Sequence, residues 1–295
     1  MAKLSRLLAA TDLSAPARHA AERAAIVAKA SGATLNLIHV ASLAPLEKLR
    51  HLVAELPPEV EQRVIDNCRD ELHHLAATLL EQHGVAAGSH VVTGPLLDEI
   101  ANLADAMAAD LLILGARGAS FMRHLLLGST AERMISQSSH SLLVVKQAAH
   151  VPYRRLLVPV DFSPSSRGAI SAACAIAGEA EIVLLHATVM PFEGKLRYAG
   201  VDDAAITHYQ IAARAEAMQK LTELRAGIGV DAGKVSLKLI LGDPSQHIIE
   251  QEQELDCDLI VIGKHGESAL EELLIGSVTR HVLTESQCDV LVSLN

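Results

Sequence analysis

Leu111-Leu112-Ile113-Leu114-Gly115-Ala116-Arg117-Gly118, followed after nine residues by Gly128-Ser129-Thr130, reads as a buried strand that enters a glycine-edged loop and then a helix start. The same design returns as Leu259-Ile260-Val261-Ile262-Gly263-Lys264-His265-Gly266, nine residues, and Gly276-Ser277-Val278-Thr279. Other strings keep step with it. Residues 7–14 (LLAATDLS) answer 156–163 (LLVPVDFS), Ile38-His39-Val40 answers Leu185-His186-Ala187, and Gly94-Pro95 answers Gly242-Asp243. Every pair lies about 148 residues apart, so the chain holds two copies of one domain. They are assigned to residues 1–147 and 148–295, with a junction of little periodicity, carrying Pro152, at 147–154.

Within each copy, short leucine-rich or β-branched runs alternate with helical patterns, the mark of βαβ units and a mostly parallel sheet. Strands are expected at 6–10, 34–40, 89–93, 111–115 and 142–146, and in the second copy at 155–160, 181–187, 235–241, 259–263 and 290–294. Helices fill the gaps. One is expected over 58–82, where Val64, Cys68, Leu72, Leu75 and Leu79 form a single apolar stripe and Gly84 supplies a stop; another covers 204–226. The fold class is therefore α/β, as two tandem doubly wound domains, each a five-stranded mostly parallel sheet flanked by helices.

Composition narrows the function. The 295 residues carry a formal charge of −10, are 50% hydrophobic and only 2% aromatic, and include four cysteines. An acidic chain poor in aromatic rings lacks both the basic stripe and the stacking surfaces that nucleic acids need. No apolar run approaches the ~18 residues of a membrane-spanning helix. Lys3 and Arg6 before Leu7–Leu8 imitate the start of an export signal, but Asp12 ends the apolar stretch too early, so a cytoplasmic protein is expected. Cys68, Cys174, Cys257 and Cys288 lie far apart without a C-x-x-C, as buried small hydrophobes would. No two of the fifteen histidines stand three or four apart on a helix, and Glu250, Glu252, Glu254, Asp256 and Asp258 read as a solvated face. No metal site and no catalytic constellation is assigned.

Glycines at the end of a buried strand let a ligand approach the backbone, and the Gly-Ser that follows opens a helix whose free N–H groups and positive dipole end suit a phosphate. In a parallel sheet, ligands sit beyond the carboxyl ends of the strands at the switch point of strand order. Asp12 and Asp161 end the first strand of each copy. Each precedes a serine by two residues, so helix capping and ligand contact both stand for them. His39 and His186 recur at equivalent strand ends, and structural and functional readings are equally open.

At these residues the sequence resembles the universal stress protein family in its tandem form. The family signature, Gly, two residues, Gly, nine residues, Gly, then Ser or Thr, is complete in both copies. The resemblance implies domains that bind ATP or ADP, with or without Mg²⁺, in a stress-response or regulatory role. It also implies a homodimer or a regulatory protein partner, with the last strand commonly pairing domains. In the first copy Asp12 and Val40 would meet adenine and ribose, and Gly115, Arg117, Gly118, Gly128, Ser129 and Thr130 would surround ribose and phosphates. The matching set is Asp161, Ala187, Gly263, His265, Gly266, Gly276 and Ser277, with Thr279 as an extra hydroxyl. Thr130 aligns with Val278 and Thr279 with Ala131, so the threonines are out of step.

The other functions weighed are a slow ATPase or adenylating enzyme, and a nucleotide-free scaffold. The loops carry no obvious general base, and no glycine-serine-rich loop follows the first strand, so the expected protein is a binder and not an enzyme. Residues 142–146 and 290–294 are short apolar strands whose edges invite pairing, and an intramolecular pairing of the two domains through them is expected.

Local charge ranks the sites. Arg123 and His124 lie between the first copy's glycines, whereas Glu267, Glu271 and Glu272 lie between the second's. A carboxylate about 6 Å from a phosphate costs roughly 1–3 kcal/mol at an effective dielectric of ~20. Replacing the three glutamates by glutamine in the full chain should therefore tighten ATP binding at the second site by about tenfold at low salt, and by less at high salt. Calorimetric titration at two ionic strengths checks this; an unchanged affinity would show that the glutamates face solvent.

Overall fold

The computed structural model describes residues 3–44, 59–116, 127–188, 198–229, 231–266 and 275–294. It is α/β, with eight helices among the described residues and two compact units, Lys3–Pro152 and the remainder from Tyr153. Residues 148–152 stay with the first unit. The guanidinium of buried Arg23 donates to the Val151 carbonyl at 2.9 Å, and Ala149 is buried.

In the first unit, β1 (Arg6–Ala10), β2 (Thr34–Ala41), β3 (Ala87–Thr93), β4 (Leu111–Gly115) and β5 (Leu142–Val145) are all parallel, in the order β3-β2-β1-β4-β5. The chain moves outward from β1 through β2 to β3, then returns to the other side of β1 at β4. The crevice between the ends of β1 and β4 is thus the switch point. β1, β4 and β5 are nearly continuous apolar runs because helices cover both faces of such a sheet.

Helix α1 (Ala15–Ser31) begins at Ser14, whose hydroxyl accepts from the Ala17 N–H, and ends at Gly32 in the left-handed conformation (φ 71°). Its buried stripe is mostly alanine: Ala17, Ala20, Ala21, Ala24, Ala25 and Ala28 let the helix lie close to the sheet. Helix α2 (Glu59–His83) buries Leu72 and Leu79 completely, while Val64, Cys68 and Leu75 on the same stripe are half-buried. Burial of each of those two leucines contributes roughly 1.5–3 kcal/mol. Gly84 follows at φ 71°, beyond the reach of an ordinary residue without strain. Helices α3 (Leu96–Ala106) and α4 (Ser129–Gln137) follow among the described residues.

The second unit repeats the plan with β6 (Arg155–Pro159), β7 (Glu181–Thr188), β8 (Val235–Leu241), β9 (Leu259–Gly263) and β10 (Asp289–Ser293), parallel in the order β8-β7-β6-β9-β10. Its helices are α5 (Pro164–Ile176), α6 (Asp203–Ala226), α7 (Pro244–Glu254) and α8 (Ser277–Glu285). The strand limits differ from expectation at a few ends. β3 starts earlier, at Ala87, where its backbone is already in register with Leu35. β10 starts at Asp289, paired with Leu259, and stops at Ser293.

One sequence reading is corrected here. Glu252 is not on a solvated face: it is 3% exposed, and its Oε1 accepts from the N–H groups of Gln287 at 2.7 Å and Cys288 at 2.6 Å. On α7 it follows Ile248 by one turn, and both face inward with Gln251. Its neighbours do meet solvent. Glu250 pairs with His247 at 2.7 Å, and Glu254 takes a hydrogen bond from Gln251 and lies 3.7 Å from Lys238.

Cys174, Cys257 and Cys288 are buried and Cys68 is half-buried, and all four are free thiols. Burial pushes the Cys257 thiol up to about 12, against an ordinary 9.0. The unfolded thiol then ionises at a lower pH than the folded one. This contribution to stability is fully present below pH 9 and is lost as pH rises from about 9 toward 12. Urea unfolding between pH 8 and 10.5 should accordingly show a smaller alkaline loss of stability for Cys257→Ala than for the wild type; equal losses would contradict it.

Candidate nucleotide site

The register of the first unit sets the site. Ala10 stands opposite Ile38 on β2 and Leu114 on β4, so Asp12, Val40 and Ala116, each two residues further on, reach the same level beyond the sheet. The Gly128 N–H donates to the Ala116 carbonyl at 2.7 Å and draws the start of α4 back to the end of β4. Gly128 is the N-cap of α4 and makes no side-chain cap bond, so the first-turn N–H groups at Ser129 and Thr130 keep no serine or aspartate over them. Ser129 is exposed and Thr130 half-exposed. The site therefore assembles Asp12, Val40, Gly115, Gly128, Ser129 and Thr130 at one end of the sheet. Arg117 and Gly118, with Arg123 and His124, lie outside the described residues.

The second unit builds the same corner. Pro159 is opposite Leu185, which places Asp161 and Ala187 at one level, and β9 ends beside them at Gly263. The Gly276 N–H donates to the Lys264 carbonyl at 3.0 Å, the counterpart of the Gly128–Ala116 bond. Gly276 too is an N-cap without a side-chain bond, ahead of exposed Ser277.

Two glycines here are required by space. A Cβ on Gly266 would lie 2.7 Å from Asp161 Oδ2, and one on Gly263 would lie 2.8 Å from the Ser165 Cβ. The glycine loop therefore closes directly against the aspartate. His265 is half-exposed beside it. Thr279 takes a different part from the expected phosphate contact: it is 3% exposed, and its hydroxyl donates to the Gly263 carbonyl at 2.8 Å, tying α8 to the end of β9. Lys264 is buried, and desolvation lowers its ammonium pKa. Glu267, Glu271 and Glu272 lie outside the described residues.

Both turns after the first strand share features that sequence reading did not find. Leu13 (φ 63°) and Phe162 (φ 68°) adopt the left-handed conformation, which a side chain with a Cβ resists. Asp12 Oδ1 accepts from the Ser14 N–H at 3.0 Å and Asp161 Oδ1 from the Ser163 N–H at 3.0 Å, closing the turn around the strained residue. Asp161 gains a second support, because the Ser166 hydroxyl donates to its Oδ1 at 2.6 Å while accepting from its N–H at 2.9 Å. The aspartates thus organise their turns, and Ser14 and Ser163 cap the helices. Repetition of Asp-x-Ser in both halves was the available signal; no local pattern marks the positive φ.

These features define a tandem pair of α/β domains, each with glycines and an uncapped helix start at its switch point. The chain belongs to the universal stress protein family, whose family model matches residues 3–146 and 152–293. Along nearly its whole length it is similar to a universal stress protein of Mycolicibacterium smegmatis, with 26% identity over 97% of this chain and 96% of that one. The universal stress protein MJ0531 of Methanocaldococcus jannaschii is 31% identical over 48% of this chain and 81% of its own. The crystal structure of a universal stress protein from Archaeoglobus fulgidus shares the fold, with a TM-score of 0.67 at 20% identity over 98% of this chain and 97% of that one.

Proposed function

We propose that the chain binds an adenine nucleotide, ATP or ADP, at the carboxyl ends of the strands in each unit, and that it acts in the cytoplasm as a stress-response regulator. Occupancy would change its conformation or its choice of protein partner, another copy of the chain included. One observation carries this reading: in both units the described glycines of the signature, Gly115 and Gly128 in the first and Gly263, Gly266 and Gly276 in the second, lie at the same end of the sheet as the aspartate that follows the central strand. The uncapped N-termini of α4 and α8 supply N–H groups and a positive dipole end for phosphates. Val40 and Ala187, half-exposed at the same level as the aspartates, offer an apolar edge to a base. Mg²⁺ would enter with the nucleotide.

Hydrolysis, if present, is expected to be slow. Asp12 and Asp161 are committed to backbone N–H groups in their own turns. Among the described residues, no group of three or more His, Cys, Asp or Glu could hold a metal ion, and no helix is long and apolar enough to cross a membrane.

Chromatography of the supernatant from denatured, freshly purified protein, followed by calorimetric titration of nucleotide-free protein with ATP, tests the proposal. Released adenine nucleotide or saturable binding is expected. Absence of both would overturn it and favour a nucleotide-free scaffold.

A further inference from the structure

We infer that His39 and His186 are positioning residues that set the aspartate-bearing turns of the two sites, an inference that rests on the nucleotide reading above. The residue just before each aspartate is held at both ends of its backbone by the neighbouring strand. In the first unit the Thr11 N–H donates to the Ile38 carbonyl at 2.9 Å, and the Thr11 carbonyl accepts from His39 Nδ1 at 2.9 Å. In the second the Val160 N–H donates to the Leu185 carbonyl at 2.8 Å, and the Val160 carbonyl accepts from His186 Nδ1 at 2.7 Å. Two copies whose turns differ in sequence, Thr-Asp-Leu-Ser and Val-Asp-Phe-Ser, keep the same two-point grip.

That grip bears on the ligand through the peptide plane. The gripped carbonyl belongs to the peptide bond that carries the aspartate nitrogen, so fixing it fixes the direction in which the aspartate leaves the strand. The next residue is left-handed in both copies, a conformation that persists only where the surroundings over-determine it. The imidazole supplies that determination from β2 or β7, and the Asp–Ser N–H bond supplies it from inside the turn. A carbonyl oxygen only accepts, so Nδ1 carries a proton in each histidine. In the second unit the ring also lies against Phe162, with centroids 4.4 Å apart, so it braces the side chain of the strained residue as well as the plane before it.

The test uses the full chain with His39 or His186 replaced by asparagine, glutamine or leucine. The asparagine amide nitrogen takes nearly the position of Nδ1, whereas that of glutamine reaches one bond further. By amide NMR, with Ser129 and Ser277 reporting the two sites, ATP affinity at the altered site should fall about tenfold for glutamine and leucine and recover to within about threefold for asparagine. The site in the other unit should be unchanged. A ligand-free readout separates this idea from the nucleotide proposal: ring nitrogen shifts should show the Nδ1-protonated form, and the amides of Leu13 and Ser14, or Phe162 and Ser163, should move in the glutamine and leucine variants but not in asparagine. If the wild type fails to bind ATP while these shifts behave as stated, the nucleotide reading falls and the positioning role stands. Wild-type affinity and unmoved turn amides in the leucine variants would overturn the inference.

Discussion

Gly266→Asp should reduce ATP affinity at the second site by roughly a hundredfold or more. Gly266 is a glycine for reasons of room: its backbone is not left-handed, yet a Cβ would lie 2.7 Å from Asp161 Oδ2. An aspartate there sets a new carboxylate against an existing one and on the face proposed for the phosphates. At about 5 Å from a phosphate and an effective dielectric of ~20, one such charge is worth about 3 kcal/mol, the basis of the hundredfold figure. Gly266→Ala adds the crowding without the charge and should lose about tenfold, the equivalent of one misplaced hydrogen bond. Calorimetry on variants shown to be folded by circular dichroism provides the measurement. Unchanged affinity in Gly266→Asp would mean that phosphates do not approach this loop. Gly118→Asp is expected to act in the same direction at the first site.

The largest effect on stability is expected from Glu252→Ala, at about 3–5 kcal/mol by urea unfolding. The substitution leaves the N–H groups of Gln287 and Cys288 without their acceptor, and the Cys288 bond is buried. Glu252→Gln keeps the accepting oxygen and should cost less than alanine, about 1–3 kcal/mol. The second oxygen sets that cost: Oε2 is buried and makes no hydrogen bond, and glutamine puts two N–H donors in its place. A cost below about 1 kcal/mol for alanine would show that the turn before β10 finds other partners.

Glu252 also shows what limits sequence reading. Its neighbours Glu250 and Glu254 are exposed, and by residue type the three are alike. What separates them is phase on the helix, since Glu252 stands one turn after buried Ile248. Phase was readable, but burial of a carboxylate is legible only when its partners, the N–H groups of a turn some 35 residues away in sequence, are known. The strands were legible because apolar runs in a sheet covered on both faces leave no polar alternation to misread. The glycine spacing likewise marks the corner where β4 and β9 end, because the two copies check one another. Thr279 is illegible for the opposite reason: a hydroxyl near a glycine loop suits a phosphate, and only the fold brings it to the Gly263 carbonyl, to which it donates. The left-handed Leu13 and Phe162 left no trace in composition, since neither residue type favours that conformation.

The bond from Arg23 to the Val151 carbonyl has a practical side for anyone who cuts this protein in two. Periodicity fades at Gln147, and a truncation placed there would look harmless on paper. It would strip an acceptor from a guanidinium that is only 6% exposed, and would remove Ala149, which is itself buried. A first half ending at Pro152 keeps both. Weak solubility of a shorter fragment would then report a misplaced cut and say nothing of whether the half can fold by itself.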